Sequence, residues 1–261
     1  MVLANAIVIN CNQIFSKMRH YKPFQFKRFS IEQNNAAMKV GTDSVLLGSW
    51  AQIEVNEHIL DIGTGTGILP LMLAQKVEGL CKIDAIEIDN SAIIDARINF
   101  NNSQWKDCFK LIEQDFTTFN SPILYDVIIS NPPFFEGLAP TDTSRSLARN
   151  ASDRLSYLNL IQKSSQLLTQ NGRIYLVIPQ ENYEKVIQLS IDNGLRLKNQ
   201  LNLRPKTGKP INRVLIELTK KSNTSSFKIE QNQELIIRNS ENNYTDEHIL
   251  FTINYYLNLQ H

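Results

Sequence analysis

Cysteine and histidine are scarce in this chain. Its 261 residues include only three cysteines and four histidines. Cys11, Cys81 and Cys108 show no C-x-x-C spacing, which argues against a disulfide framework and indicates a reducing compartment. The histidines are scattered, with no H-x-x-x-H pair and no cysteine nearby, so we expect no metal site.

Long hydrophobic runs are also missing. The apolar start at residues 6–9 is short, lies between Asn5 and Asn10, and lacks a preceding basic segment. It predicts neither a signal peptide nor a membrane span, and we expect a cytoplasmic protein. With 42% hydrophobic and 20% charged residues, the composition is that of an ordinary globular protein and excludes fibrous repeats.

The chain has no large overall excess of charge, but its charges are segregated. The net charge is +1, whereas residues 1–50 carry +4 and residues 196–228 carry +8; residues 51–195 and 229–261 carry −7 and −4. Two basic blocks can attract a polyanion even when the total charge is close to zero. A solvated face is the alternative interpretation.

Short apolar strands alternate with helical patterns along most of the chain. This pattern predicts an α/β fold with a mostly parallel sheet covered on both faces. Seven strands are expected, near residues 58–62, 83–88, 109–112, 125–129, 173–178, 195–201 and 213–218. Ligands of such sheets bind beyond the carboxyl ends of the strands.

Three regions are expected along the chain. Residues 1–22 form an N-terminal extension that is either disordered or upstream of the true start, with Met18 as the alternative start. Residues 23–220 form the main domain. Residues 221–261 add a small strand and helix packed on that same domain.

A glycine-rich turn follows the first predicted strand of the sheet. Its sequence is Asp61-Ile62-Gly63-Thr64-Gly65-Thr66-Gly67, and glycines there allow the backbone to pass close to a ligand. The dinucleotide pattern G-x-G-x-x-G is broken because Ile68 takes the place of its last glycine. Asp61 suits a cationic ammonium group better than a pyrophosphate.

Acidic residues follow the next two strands. Glu87 ends the second strand, where a carboxylate can accept both hydroxyls of a ribose. Asp115 can accept the amino group of an adenine, while Phe116 or Ile88 packs on the ring. Together with the turn, these residues predict binding of S-adenosyl-L-methionine.

A polar loop follows the fourth strand, with the sequence Ser130-Asn131-Pro132-Pro133-Phe134. The simple interpretation is a strand terminator. The functional one is catalytic: Asn131 Oδ1 and the Pro132 carbonyl accept the two N–H bonds of a planar nitrogen and expose its lone pair, while Phe134 stacks on the base. The motif alone leaves adenine, guanine and glutamine open as targets.

These motifs, with the block Ala37-Met38-Lys39-Val40-Gly41-Thr42-Asp43-Ser44 and the tail Leu235-Ile236-Ile237-Arg238, make the chain resemble the bacterial tRNA1(Val) (adenine(37)-N6)-methyltransferases. The resemblance covers roughly residues 22–258. It implies a Rossmann-like class I methyltransferase that modifies the adenosine beside the anticodon of a valine tRNA. Phe134 stands where that family usually has tyrosine.

The resemblance also implies roles for the block before the first strand of the sheet. Lys39, Thr42 and Asp43 are expected to flank the methionine end of the cofactor and the entering base. The alternative is that Thr42 or Asp43 merely caps a helix beginning near Ser44. We expect a monomer that binds tRNA and no membrane. The full set of expected cofactor contacts is Lys39, Thr42, Asp61, Gly63, Thr64, Gly65, Gly67, Glu87, Ile88, Asp115, Phe116 and Asn131.

A basic loop is expected between the last two strands. Arg204, Lys206 and Lys209 lie there among two prolines and a glycine, a composition that favours an exposed loop. With Lys27 and Arg28 of the first basic block, they are expected to contact tRNA phosphates.

Three other functions remain possible from the sequence. A ribosomal-RNA or DNA adenine methyltransferase shares the chemistry but not the tail. A release-factor glutamine methyltransferase would be expected to carry a separate helical N-terminal domain, for which residues 22–60 leave no room. A catalytically silent RNA-binding module would not need Asp61, Glu87 and Asn131.

Overall fold

The computed structural model describes residues 22–132, 155–220 and 229–257. The predicted N-terminal extension and Phe134 lie outside these residues, apart from Lys22 at the end of the extension. None of the helices in the described part of the chain has the length and apolar composition that a membrane crossing requires.

Two sheets are present in the described residues. Strands β1 (Phe24–Gln25) and β2 (Ser30–Ile31) form a short antiparallel hairpin. The large sheet has the strand order β10-β8-β9-β7-β6-β3-β4-β5. Its strands are β3 (His58–Ile62), β4 (Lys82–Glu87), β5 (Phe109–Glu113), β6 (Tyr125–Ser130), β7 (Leu168–Pro179), β8 (Leu195–Arg204), β9 (Arg213–Lys220) and β10 (Gln231–Ile236).

The large sheet therefore has eight strands, and the expected count of seven is wrong. The eighth is β10, which pairs in parallel with the outer edge of β8 from Gln231 to Ile236. Only its last two residues are apolar, and its first four are exposed. Most of β10 is held by backbone pairing with the edge of β8 and buries no side chains. Its sequence therefore shows only a weak apolar pattern.

Six helices are described: α1 (Thr42–Trp50), α2 (Ile68–Lys76), α3 (Asn90–Asn101), α4 (Tyr157–Leu167), α5 (Tyr183–Asp192) and α6 (Asp246–Thr252). One hydrophobic cluster joins α1, α2 and α3 to one face of the sheet, and a second joins α4 and α5 to the other. In β3, Ile59 belongs to the first cluster and Leu60 to the second. The alternating side chains of buried strands thus build both layers.

The order of the strands reverses at β3. Its neighbours are β4 on one side and β6 on the other, and both run parallel to it. The loops that leave β3 and β6 therefore diverge over opposite faces and open a crevice at the carboxyl edge. The glycine turn and Asn131 border this crevice.

Candidate active site

The glycine turn between β3 and α2 is open toward the crevice. Gly63 and Gly65 have positive φ angles of 71° and 58°, and a Cβ added at either would meet no atom within 4 Å. The N–H groups of Gly63 and Thr64 both donate to the carbonyl of Ile86 at 2.9 Å, which fixes the turn against β4. A ligand can thus approach this backbone closely.

Gly67 closes the turn for a different reason. A Cβ at this position would lie 2.5 Å from the ring of Phe100 on α3. Gly67 therefore allows α2 to begin close to α3, and its contribution to the site is packing beneath the turn.

Asp61 is a fully buried carboxylate near the end of β3. Neither of its oxygens has a hydrogen-bond partner among the described residues, and the Thr64 hydroxyl is unpartnered as well. Burial raises the pKa of Asp61 to about 7; the Glu87 charge adds to the rise, while the nearby Thr64 side chain opposes it. Such an uncompensated acid fits a ligand that carries a cation.

Glu87 is bound to three backbone N–H groups. Its Oε2 accepts from Gly65 at 2.8 Å, and its Oε1 accepts from Ile88 at 2.8 Å and Asp89 at 2.9 Å. Burial raises the pKa of Glu87, and these three bonds partly oppose the rise. Because each carboxylate oxygen can accept about two bonds, Oε2 retains capacity for a ligand hydroxyl while Oε1 is filled.

The predicted adenine contacts line the same crevice. Ile88 is 36% exposed, whereas Phe116 is only 4% exposed and belongs to the core. Asp115 Oδ1 accepts from the amide and the hydroxyl of Thr117 at 2.8 and 2.7 Å, so Asp115 also caps a short 3-10 turn. Ile88 is therefore the more accessible of the two apolar side chains expected to pack on a ring.

One polar residue fixes the end of β6 and another fixes the loop that follows it. Ser130 Oγ donates to the carbonyl of Ile62 at 2.7 Å and ties the ends of β6 and β3 together. Asn131 Nδ2 donates to Ser44 Oγ on α1 at 2.8 Å. Pro132 is buried.

The block before β3 covers part of the crevice, but its residues act differently from one another. Lys39 Nζ donates to the carbonyls of Gln33 and, at 3.0 Å, Ala36, so it braces its own loop. Thr42 lines the crevice. Asp43 pairs with Arg213 at 3.1 Å. The capping alternative is wrong, because α1 begins at Thr42 with Gly41 before it and no side-chain cap.

Two adjoining cavities make up the crevice. One of about 130 Å³ is lined by Glu87, Ile88, Asp115 and Phe116, and one of about 410 Å³ by Lys39, Thr42, Asp43, Ser44 and Pro132. Four residues line both cavities: Met38, Gly63, Gly65 and Asn131. The residues expected from the sequence to contact the ribose and adenine thus line the first cavity, and the expected contacts from the block before β3 line the second.

Two buried polar residues that the sequence did not reveal support this arrangement. Asp95 on α3 accepts from the amides of Asn35 and Ala36 at 2.9 and 2.7 Å. Asn99, one turn later, accepts from the amide of Glu32 at 2.7 Å. Their four-residue spacing on the buried face of a helix was the signal that could have revealed them.

Three of the five basic residues expected to contact RNA are bound to other groups of the protein. Arg28 pairs with Glu78, Arg204 pairs with Glu234 at 2.7 Å, and Lys27 Nζ donates to the carbonyl of Ile253. Lys206 and Lys209 lie in the loop after β8, at the same edge of the sheet as the crevice.

Within the described ranges, no group of three or more histidine, cysteine or acidic side chains is placed to hold a metal ion. Cys81 and Cys108 are buried free thiols.

Comparison with known proteins gives consistent results. Residues 36–200 match the Methyltransferase small domain family. A Tolumonas auensis protein named tRNA1(Val) (adenine(37)-N6)-methyltransferase is 40% identical over 237 residues, covering 90% of this chain and 97% of that protein. One of the same name from Bacteroides thetaiotaomicron is 40% identical over 238 residues, covering 91% and 98%.

Solved structures share the fold. A predicted O-methyltransferase from Agrobacterium tumefaciens has a TM-score of 0.62 at 17% identity, covering 82% of this chain and 96% of that one. A methyltransferase from Pyrococcus furiosus has a TM-score of 0.54 at 20% identity, covering 85% and 100%. The Rossmann-like fold predicted from the sequence is thereby confirmed.

Proposed function

Because the chain belongs to the tRNA1(Val) (adenine(37)-N6)-methyltransferase family, we propose that it transfers a methyl group from S-adenosyl-L-methionine to the N6 amino group of adenine 37, beside the anticodon of a valine tRNA. The observation that carries this proposal is the position of Asn131, which lines both cavities at the carboxyl edge of the sheet. tRNA is found in the cytoplasm, where we expect the reaction to take place.

The crevice fits S-adenosyl-L-methionine in three respects. The Asp61 carboxylate, which is fully buried and lines neither cavity, has no hydrogen-bond partner among the described residues and is proposed to favour the ammonium group of the amino acid end. The open faces of Gly63 and Gly65 leave room for close approach. Glu87 Oε2 can accept a ribose hydroxyl, with Asp115 and Ile88 around the adenine.

The chemistry assigned to the loop after β6 concerns the amino nitrogen of the target base. Its lone pair is delocalised into the ring, which makes it a poor nucleophile. Asn131 Oδ1 and the Pro132 carbonyl accept its two N–H bonds and favour a pyramidal nitrogen, an interaction that strengthens as positive charge develops. S-adenosyl-L-methionine supplies the methyl group from its sulfonium. The product loses its proton readily, so no strong base is required.

The target base must leave its stack to reach Asn131. Phe134 is expected to stack on the base once it has entered, a contact worth about 1–3 kcal/mol by analogy with single-stranded nucleic-acid binding. The loop carrying Lys206 and Lys209 is proposed to hold the anticodon arm through phosphate contacts, which supply affinity and little sequence choice.

Methyl transfer to defined RNAs tests the function. The purified protein with labelled cofactor should methylate a valine tRNA, and should not label the same tRNA with guanosine at position 37. Release factor and duplex DNA are the controls for the alternative substrates, and label on either without label on tRNA would contradict the proposal. Mass spectrometry of valine tRNA from cells with and without the gene should show loss of one methyl group at this adenosine.

A further inference from the structure

The side-chain amide of Asn131 has two chemically different ends. Only Oδ1 can accept the N–H bonds of a target amine, whereas Nδ2 can only donate. Rotation of the amide by 180° exchanges the two ends in nearly the same volume. An Asn131 rotated in this way would present donors to a donor, so the proposed reaction requires Oδ1 toward the target base and a partner that holds the side chain in place.

Ser44 is positioned to be that partner. It lies in the first turn of α1, is 9% exposed, and places Oγ 2.8 Å from Asn131 Nδ2. Both residues line the larger cavity. Nδ2 donates to Ser44 Oγ, and Oδ1 therefore occupies the other arm of the planar amide, directed away from Ser44. Because a serine hydroxyl can also donate, this bond fixes the position of the side chain and does not by itself choose between its two amide ends.

The Ser44 hydroxyl lies on a helix that is packed tightly against its neighbours. Val45, Leu46 and Leu47 are fully buried, and a Cβ on Gly48 would lie 2.7 Å from the sulfur of Met72 on α2. The ion pair between Asp43 and Arg213 connects the start of the same helix to β9. The packing of α1 against α2 and the ion pair to β9 therefore hold Ser44 Oγ in place.

We infer that Ser44 is a positioning residue, which holds the Asn131 side chain with one arm of its amide, the arm that Oδ1 occupies in this structure, toward the target nitrogen. This inference rests on the proposed function and extends it to a residue outside the Asn-Pro-Pro motif. Ser44 acts through Asn131, so its loss lowers the rate of the methyl-transfer step and leaves the binding of cofactor and tRNA unchanged.

Single-turnover methyl transfer at saturating cofactor and tRNA is the measurement. Ser44→Ala should lower the rate about 5- to 30-fold, the size expected for removal of one hydrogen bond. The dissociation constants of cofactor and tRNA should change less than about twofold. Ser44→Thr, which retains the hydroxyl, should recover most of the rate. The matched control is Ser49→Ala on the same helix, which removes a buried hydroxyl that has no hydrogen-bond partner among the described residues. This variant should keep the wild-type rate.

A double-mutant cycle separates positioning from a general effect on structure. In an Asn131→Ala background, Ser44→Ala should have no further effect on the rate. An equal fold-loss in both backgrounds, or a wild-type rate in Ser44→Ala, would overturn the inference. If Ser44→Ala does not fold, Ser44→Cys keeps a similar volume with a weak acceptor and should show the same loss.

A wild-type protein without activity on tRNA would overturn the proposed function and this inference together, whereas an active wild type with an unaffected Ser44 variant overturns the inference alone.

Discussion

At the scale of single residues, Glu87 stabilises the site through two sets of hydrogen bonds. Its carboxylate binds the amide of Gly65 and so connects the glycine turn to the end of β4, and it also accepts two amides of its own loop. A residue expected from the sequence to contact a ribose is thus also part of the wall of the crevice. Its removal affects the shape of the site as well as a ligand contact.

Glu87→Ala should weaken the binding of S-adenosyl-L-methionine by roughly 1–3 kcal/mol, because it removes an acceptor for the ribose and takes away the partner of three backbone amides that shape the crevice. Isothermal titration calorimetry provides the measurement. Glu113→Ala is the matched control, since Glu113 is the register partner of Glu87 on β5 but is half exposed and pairs with Arg97. The assignment fails if the two variants bind the cofactor equally well.

Asn131→Ala should reduce the methyl-transfer rate about 10²- to 10³-fold, by analogy with the loss of one oxyanion-hole donor. Its melting temperature should change little, since Asn131 is only partly buried. Asn102→Ala, at the exposed end of α3, is a control expected to keep the rate. A near wild-type single-turnover rate in Asn131→Ala would leave this residue with the role of a strand terminator.

The site residues that could be predicted from sequence are those that directly follow strands. Gly63, Glu87 and Asn131 need only the rule that parallel strands end at one edge. The partners of Ser44 and Asp95 could not be predicted in this way, because they lie 87 and about 60 residues away along the chain. Such pairs depend on how the helices pack, which periodicity does not determine.

At the scale of elements, the loop between β8 and β9 joins the crevice edge of the sheet to the C-terminal region. Thr207 donates its amide to the carbonyl of Arg238 at 2.9 Å, and Arg204 pairs with Glu234 on β10. Arg204 therefore supports the loop itself. Among the three cations predicted there, Lys206 and Lys209 are the better candidates for phosphate contacts.

Lys206→Ala combined with Lys209→Ala should weaken tRNA binding and flatten its salt dependence. For each phosphate interaction that is lost, the plot of log binding constant against log salt concentration should become less steep by roughly 0.7–0.9. Filter binding across a salt series measures both quantities, and cofactor affinity should stay constant. The matched control is Lys82→Ala with Lys106→Ala, two exposed lysines at the amino ends of β4 and β5. Equal effects of the two pairs would show that the loop is only a solvated face.

The limits of the elements were less predictable than their existence. The first strand of the sheet was predicted at residues 58–62 and is found there, whereas β7 begins at Leu168, five residues before its predicted start. Leu168 pairs with Tyr125 ahead of a shift in register. An irregular pairing of this kind follows from the neighbouring strand and leaves no periodic signal in the sequence.

At the scale of the whole molecule, alternating strands and helices were sufficient to predict the fold. The C-terminal region was harder to place, because its contacts are distant in sequence. The hydroxyl of Tyr255 donates to the carbonyl of Met72 at 3.2 Å, and the amide of Lys27 donates to the carbonyl of Tyr255 at 2.8 Å. His248 is buried beside Arg238, and burial lowers its pKa to about 4.

Buried acids connect the site to the stability of the entire fold. Burial raises the pKa of Asp61 to about 7, so between about pH 4 and 7 the folded state holds a proton that the unfolded chain has released. The contribution of Asp61 to the free energy of unfolding is therefore greatest below its unfolded pKa. It falls as pH rises toward 7, by about 1.4 kcal/mol for each pH unit at most.

Asp61→Asn should remove this dependence while leaving that of His248, which both proteins share. The free energy of unfolding of the variant minus that of the wild type should rise from about pH 4 to 7 and then level off. Urea titrations of the cofactor-free proteins across this range measure the difference. Saturating S-adenosylhomocysteine, whose ammonium group favours the ionised carboxylate, should flatten it. A difference that does not vary with pH in the cofactor-free proteins would mean that Asp61 is ionised throughout, and it would remove the argument that the site is built to receive a cation.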